Sequence, residues 1–229
     1  MDDKLSQEKT RDDYIKELPD LDLPVGAHII LWGEWTIFHR IMILLQYLWL
    51  GVKNAPTHVQ RVYDQSQDIS AEGKGVMLID RLNSLKKAKR IKIVIHKKLR
   101  EPGMGETFKT ICDKYLDAPY DKYFYYLVVL RIFTFFLPFL FIWTLFLNLP
   151  LISILIALLV ILYWPVRKYL MFKSRSSWAC SELSNSLDRD IGIDTGIDIH
   201  HNTSPLYYYR LSRAAGDFKE LYDSGRISD

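Results

Sequence analysis

Cysteine is scarce. Only Cys112 and Cys180 occur in 229 residues, and two thiols do not make a disulfide framework. The fold therefore has to stand on its own core, and both thiols are expected free, in a reducing compartment. A dominant charge is also lacking. The formal net charge is +3, which argues against a dedicated nucleic-acid role. No apolar leader opens the chain. "MDDKLSQEKTRDDYIKELPDLDLP" is charged and polar, so residues 1–23 are read as a polar segment and no cleavable signal is expected.

The most informative absence lies further on. Between Ile132 and Val166 there are 35 residues and no charge. One membrane-spanning helix needs about 20 apolar residues. The run is too long for one span and fits two, broken at "NLP" (148–150), since Asn and Pro suit turns. The reading is an inserted two-helix transmembrane hairpin over 124–172, with helices near 124–147 and 151–171. Arg131 is close enough to an end to snorkel. Lys114 and Lys122 precede the hairpin, and Arg167, Lys168, Lys173 and Arg175 follow it. That distribution puts both ends, both termini and the rest of the chain on the cytoplasmic side. A re-entrant hairpin is the alternative, given Pro138 and Pro150. "EWTIFHRIMILLQYLWLG" (34–51) is greasy but interrupted by His39, Arg40 and Gln46. It is read as a buried helix or an interfacial one.

Outside the hairpin the pattern is mixed α and β. "VGAHIILWG" (25–33), "THVQRVYD" (57–64) and "GVMLIDRL" (75–82) read as strands. "RIKIVIHK" (90–97) alternates with period two, as a half-buried strand does. It belongs to a basic cluster, 86–100, that suits a solvated edge or a face held against anionic lipid. "GETFKTICDKYLDA" (105–118) has helical spacing and places Cys112 among core neighbours. "CSELSNSLDRD" (180–190) is also helical, with Ser176 and Ser177 as capping candidates. Cys180 then falls in the first turn, where aligned peptide dipoles favour a thiolate. "SPLYYYRLSRAAGDFKELYDSG" is amphipathic and is expected to pack back on the sheet.

A cysteine nucleophile needs a base. Of the six histidines, His28 lies in the first strand, His39 in the greasy stretch, His96 at the end of a basic strand, and His200 and His201 in a polar loop. His58 differs, since it opens a strand directly after a Pro-containing loop.

Several pieces in order, "LPVGAHIILWG", "PTHVQRVYD", "ISAEGKGVMLIDRL", "DAPYDKYF", "WACSEL" and "TSPLYYYRL", resemble the permuted papain-like (NlpC-type) cysteine hydrolases, most closely the YiiX/YaeF-like group. The resemblance covers roughly 24–123 and 174–212. It implies an α+β, circularly permuted papain-like domain over 24–123 and 174–229, an antiparallel sheet with packed helices, His58 as base and Cys180 as nucleophile. The family's third polar residue, often Glu, maps to Ser70. Glu72, two residues on, shares that strand face, so either could orient the imidazole. The hairpin departs from the family, which has a short loop there. An even number of crossings keeps His58 and Cys180 on one side.

Three functions follow as expectations. The first is a membrane-anchored cysteine amidase, acyl hydrolase or acyltransferase, acting on a lipid-linked amide or ester through an acyl-enzyme. The second is a murein peptidase of cellular or phage origin, acting on peptide amides. The third is a non-catalytic membrane or virion component that keeps the fold. None calls for a cofactor or a metal. The expected partner is the lipid bilayer, and none is nucleic acid.

Overall fold

A computed structural model describes residues 22–33, 40, 43, 55–120, 136–147, 149–174, 179–196, 205–214 and 216–224. Residues 1–21 of the expected polar segment, all of 34–51 except Arg40 and Ile43, residues 124–135, the capping candidates Ser176 and Ser177, and His39, His200 and His201 lie outside them. Contacts divide the chain into two units. One comprises Met1–Glu72, Val76–Asp117 and Cys180–Asp229, the other Gly73–Gly75 and Ala118–Ala179.

The first unit is built on a six-stranded antiparallel sheet. Its strands are β1 (His28–Trp32), β2 (His58–Val62), β3 (Gln67–Glu72), β4 (Gly75–Asp80), β5 (Arg90–His96) and β6 (Phe218–Asp223). Their spatial order is β4-β3-β2-β1-β5-β6. β1 is central, paired antiparallel with β2 and with β5. Every residue of β1 and of β2 is buried. Both faces of the sheet centre are thus covered, which requires helices on each side. The described α-helices of this unit are α1 (Arg81–Leu85), α2 (Met104–Asp113), α5 (Cys180–Asp190) and α6 (Pro205–Ala214), and those of the second are α3, over 136–146, and α4 (Pro150–Ser174).

Local chemistry explains most of these boundaries. Asp80 caps α1 by accepting from the Asn83 amide. Gly26, ahead of β1, sits at φ 84, and a Cβ there would meet the Leu99 side chain at 2.7 Å. Only glycine fits that turn at no cost. α5 carries Glu182 in its first turn and Arg189 in its last, the arrangement that its dipole favours. Ser181, Ser184 and Ser186 are buried along it beside Leu183 and Leu187. Small side chains let this helix approach the sheet closely.

Some expectations need correction. The strand over 90–97 is not half-buried: six of its seven residues are buried. Of the basic cluster, Lys87, Lys89, Lys97 and Arg100 are exposed, as a solvated edge requires, whereas Lys92 is buried. Arg90 pairs with Asp223 at 2.7 Å, Lys92 with Glu220 at 2.6 Å and Lys97 with Asp217 at 2.6 Å. The partner acids come from β6 and the residue before it, a strand absent from the sequence reading. β3 was likewise not read from periodicity, since only Ile69 and Ala71 alternate with its polar residues; the resemblance alone put Ser70 and Glu72 on a strand.

In the second unit, α4 starts at Pro150 rather than after it, as suits proline at a first helical position. It is 25 residues long. Its charge-free part, Pro150–Val166, ends before Arg167 and Lys168. Among the described residues no helix is long and apolar enough to cross a membrane. The two helices of this unit face each other through Thr144 and Ser153, whose buried hydroxyls lie 2.9 Å apart.

Candidate active site

Three of the five residues of β2 are His58, Gln60 and Arg61, all buried. A buried polar group without a partner costs free energy, so each must be satisfied. How they are satisfied defines the site.

His58 opens β2. The residue before it is tied down, as the Thr57 amide donates to the Leu31 carbonyl at 2.9 Å. The Thr57 hydroxyl accepts from the Gly33 amide at 3.2 Å. His58 Nε2 lies 2.8 Å from Ser70 Oγ and 3.3 Å from Glu72 Oε1. Ser70 in turn donates to Glu72 Oε1 at 3.1 Å. A hydroxyl has one proton. Since Ser70 spends it on Glu72, Ser70 Oγ accepts from His58 Nε2–H. The neutral ring then carries its lone pair on Nδ1. The choice between Ser70 and Glu72 left open by the sequence dissolves: both engage the same nitrogen.

Cys180 is the first residue of α5, free and part-exposed. It acts on His58 directly. Burial pulls the His58 pKa down, but the charge and hydrogen bond of Cys180, with the Glu72 carboxylate, outweigh it and raise the value to about 10. The protonated imidazolium is therefore favoured at His58. With Nε2 committed to Ser70 and Glu72, Nδ1 is the nitrogen left for the sulfur. Cys112 contrasts with this. It is fully buried in α2, and burial pushes its thiol up to about 12, so it is inert.

Gln60 and Arg61 lead into two further networks. Gln60 Nε2 donates to Asp68 Oδ2 at 2.7 Å and its oxygen accepts from Ser84 at 2.8 Å. Asp68 also holds Arg81 Nε at 2.8 Å, which joins β2, β3 and α1. Arg61 Nη1 donates to Asp188 Oδ1 at 2.7 Å, linking β2 to α5. His28 Nε2 donates to Asp188 Oδ2 at 2.9 Å. These three residues are buried to within 1%. Burial and the Arg61 charge lower the His28 pKa to about 4 despite Asp188, so the ring is neutral; its Nδ1 has no hydrogen-bond partner among the described residues. Sequence reasoning placed His28 in a strand without a role and missed Arg61, Asp188 and Asp68. Nothing in their spacing marks them, since alternation alone would turn Arg61 and Asp68 to solvent.

His96 accepts the Lys98 amide on Nδ1 at 3.2 Å and takes no part in this arrangement. Among the described residues, no group of three or more His, Cys, Asp or Glu is placed to hold a metal ion. Comparison of the chain with protein-family models, with curated proteins and with solved structures finds no match.

Proposed function

We propose that this chain is a membrane-anchored cysteine hydrolase of the permuted papain-like kind, cleaving or transferring the acyl group of a lipid-linked amide or ester. The observation that carries the reading is the pairing of His58 with Cys180 on one side and with Ser70 and Glu72 on the other. Thiol, imidazole and orienting carboxylate are the parts of a cysteine nucleophile.

The steps follow from these groups. His58 Nδ1 takes the Cys180 proton. The thiolate sulfur bonds to the substrate carbonyl carbon. Charge developing on the carbonyl oxygen meets backbone N–H groups at the start of α5, and one such donor is worth about 10²–10³ in rate. The C–N or C–O bond breaks as the imidazolium returns the proton to the departing amine or alcohol. Water or another acceptor, deprotonated by His58, then cleaves the thioester and restores the thiol. Glu72 stabilises the imidazolium through its own contact and through Ser70. This supplies the carboxylate that Ser70 alone would have lacked, which counts against the non-catalytic alternative.

Lipid is favoured over murein by the second unit. Apart from Met77 and Leu221, every large apolar side chain exposed among the described residues lies between Phe136 and Tyr169. Leu151, Phe146, Trp143 and Ile161 are each more than 60% exposed. So large an apolar surface is not left to water. Internally paired hydroxyls at Thr144 and Ser153 suit helices packed within lipid. The hairpin is accordingly read as the bilayer anchor, with both ends on the cytoplasmic side.

The test is turnover by the full chain in detergent, offered acyl-lipid amides and esters and, separately, murein peptides. The expected result is hydrolysis of the lipids with a mass increment of one acyl group on Cys180. Turnover of murein peptides alone would end the lipid reading. No turnover and no adduct with either would end the enzyme reading.

A further inference from the structure

We propose that the buried Arg61–Asp188 ion pair, braced by His28, is a positioning device that sets the nucleophile helix against the strand carrying the base. The proposal rests on the Cys180–His58 reading given above and extends it to residues that touch neither substrate nor thiol.

Asp188 follows Cys180 by eight residues on α5, about 12 Å along a helix axis. Arg61 follows His58 by three residues on β2, about 10 Å along the strand, an odd step that puts the two side chains on opposite faces. The two elements are thus joined at two points, one on each face of the strand. One point is the reactive pair and the other is the ion pair. A single contact leaves a helix free to turn about its axis or slide. Two contacts fix both. A slip of one residue would move Cys180 by about 1.5 Å and turn it by about 100°, and displacements of 1 Å are enough to cost about 10² in rate.

The other contacts of the guanidinium are also structural. Nε and Nη2 both donate to the Gly26 carbonyl, at 3.0 and 2.8 Å. Nη1 donates to Asp188 and to the Ser184 carbonyl, at 2.7 and 3.1 Å. The Phe108 ring lies 4.9 Å from its centre. Arg61 therefore ties β2 to the turn before β1, to one full turn of α5 and to α2. His28, opposite Arg61 in the β1–β2 register, holds the second carboxylate oxygen, and the Tyr208 hydroxyl approaches it at 3.3 Å. No solvent or substrate reaches the group, since Asp188 and His28 are 0% exposed and Arg61 is 1% exposed. Apolar residues of the same volume would often serve stability as well or better. What they could not supply is a directional contact that admits one register.

The experiment follows Cys180 reactivity rather than stability alone. In the full chain in detergent, the alkylation rate of Cys180 by iodoacetamide is measured from pH 5 to 9, beside kcat and KM and the melting temperature. Asp188→Asn removes the charge. The double variant Arg61→Met with Asp188→Leu removes the pair but keeps an apolar, folded interior, and it decides the matter where Asp188→Asn does not fold. The wild type is expected to alkylate rapidly at pH 6. In each folded variant this low-pH reactivity should fall by about 10-fold or more and the profile move towards that of an ordinary thiol near pH 8.5, with kcat lowered and KM within about twofold. Variants that melt lower but keep the wild-type alkylation profile and kcat would overturn the positioning role. A wild-type Cys180 that alkylates no faster than Cys112 would instead overturn the nucleophile reading, before any variant is made.

Discussion

Ser70 and Glu72 act on one nitrogen, and this has a measurable consequence. Residues that serve a single function are not additive when removed. Glu72→Gln is expected to lower kcat/KM by on the order of 10-fold, and Ser70→Ala by a similar factor. The double variant should lose much less than the product of the two. Multiplicative losses would show that the two side chains act separately. A second consequence at this scale comes from His28. Its folded pKa, about 4, lies below the ordinary value of 6.5. A lowered value means that the folded state binds the proton less well than the unfolded chain. The stabilisation is complete above pH 6.5 and is withdrawn as pH falls towards 4, by about 3 kcal/mol. Asp188 adds to the loss further down. Burial pushes its carboxyl up, but Arg61 and His28 together hold it below its usual value, so its contribution goes as pH drops through that range. Between pH 7 and pH 4.5 the urea midpoint of the wild type in detergent should therefore fall relative to that of His28→Asn. Equal slopes for wild type and variant would contradict it.

Among the elements, those with a plain apolar period were legible. α5 was read over 180–190 and spans Cys180–Asp190. β1, β2, β4 and β5 fall within the stretches assigned to them. β3 and β6 were not, for a common reason. Asp68, Ser70 and Glu72 on β3, and Glu220 and Asp223 on β6, look like solvent-facing polar residues until their partners are known. Those partners, Arg81, His58, Lys92 and Arg90, come from distant positions that no local window contains. The β5–β6 pairs differ in worth. Lys97–Asp217 is well exposed on both sides and Lys97→Ala should change stability by less than about 0.5 kcal/mol. Arg90 is also stacked 4.7 Å over the Trp32 ring. Arg90→Ala should therefore cost about 1–2 kcal/mol. Chemical denaturation of the two variants checks the order, and a Lys97 effect as large as that of Arg90 would refute it.

For the whole molecule, the sequence separated an apolar insertion over 124–172 from a mixed α and β domain, and contacts group Gly73–Gly75 with Ala118–Ala179 as one unit. The pairing of His58 with Cys180 was visible only through the order of short motifs. The Arg61–Asp188 link was not visible, because nothing local distinguishes a buried ion pair from two surface charges. On the proposed membrane anchoring, the chain should stay with vesicles through high-salt and alkaline washes and be released by detergent. Release by salt would mean that charge, and not the exposed apolar surface of the hairpin, holds it there.

The central claim is that Cys180 is poised by His58. It is tested most directly by mapping alkylation of the detergent-solubilised full chain at pH 6. The account predicts that Cys180 reacts at least about 100 times faster than Cys112, and that His58→Ala removes most of the difference. Equal modification of the two cysteines, or an unchanged Cys180 rate in the His58 variant, would contradict it.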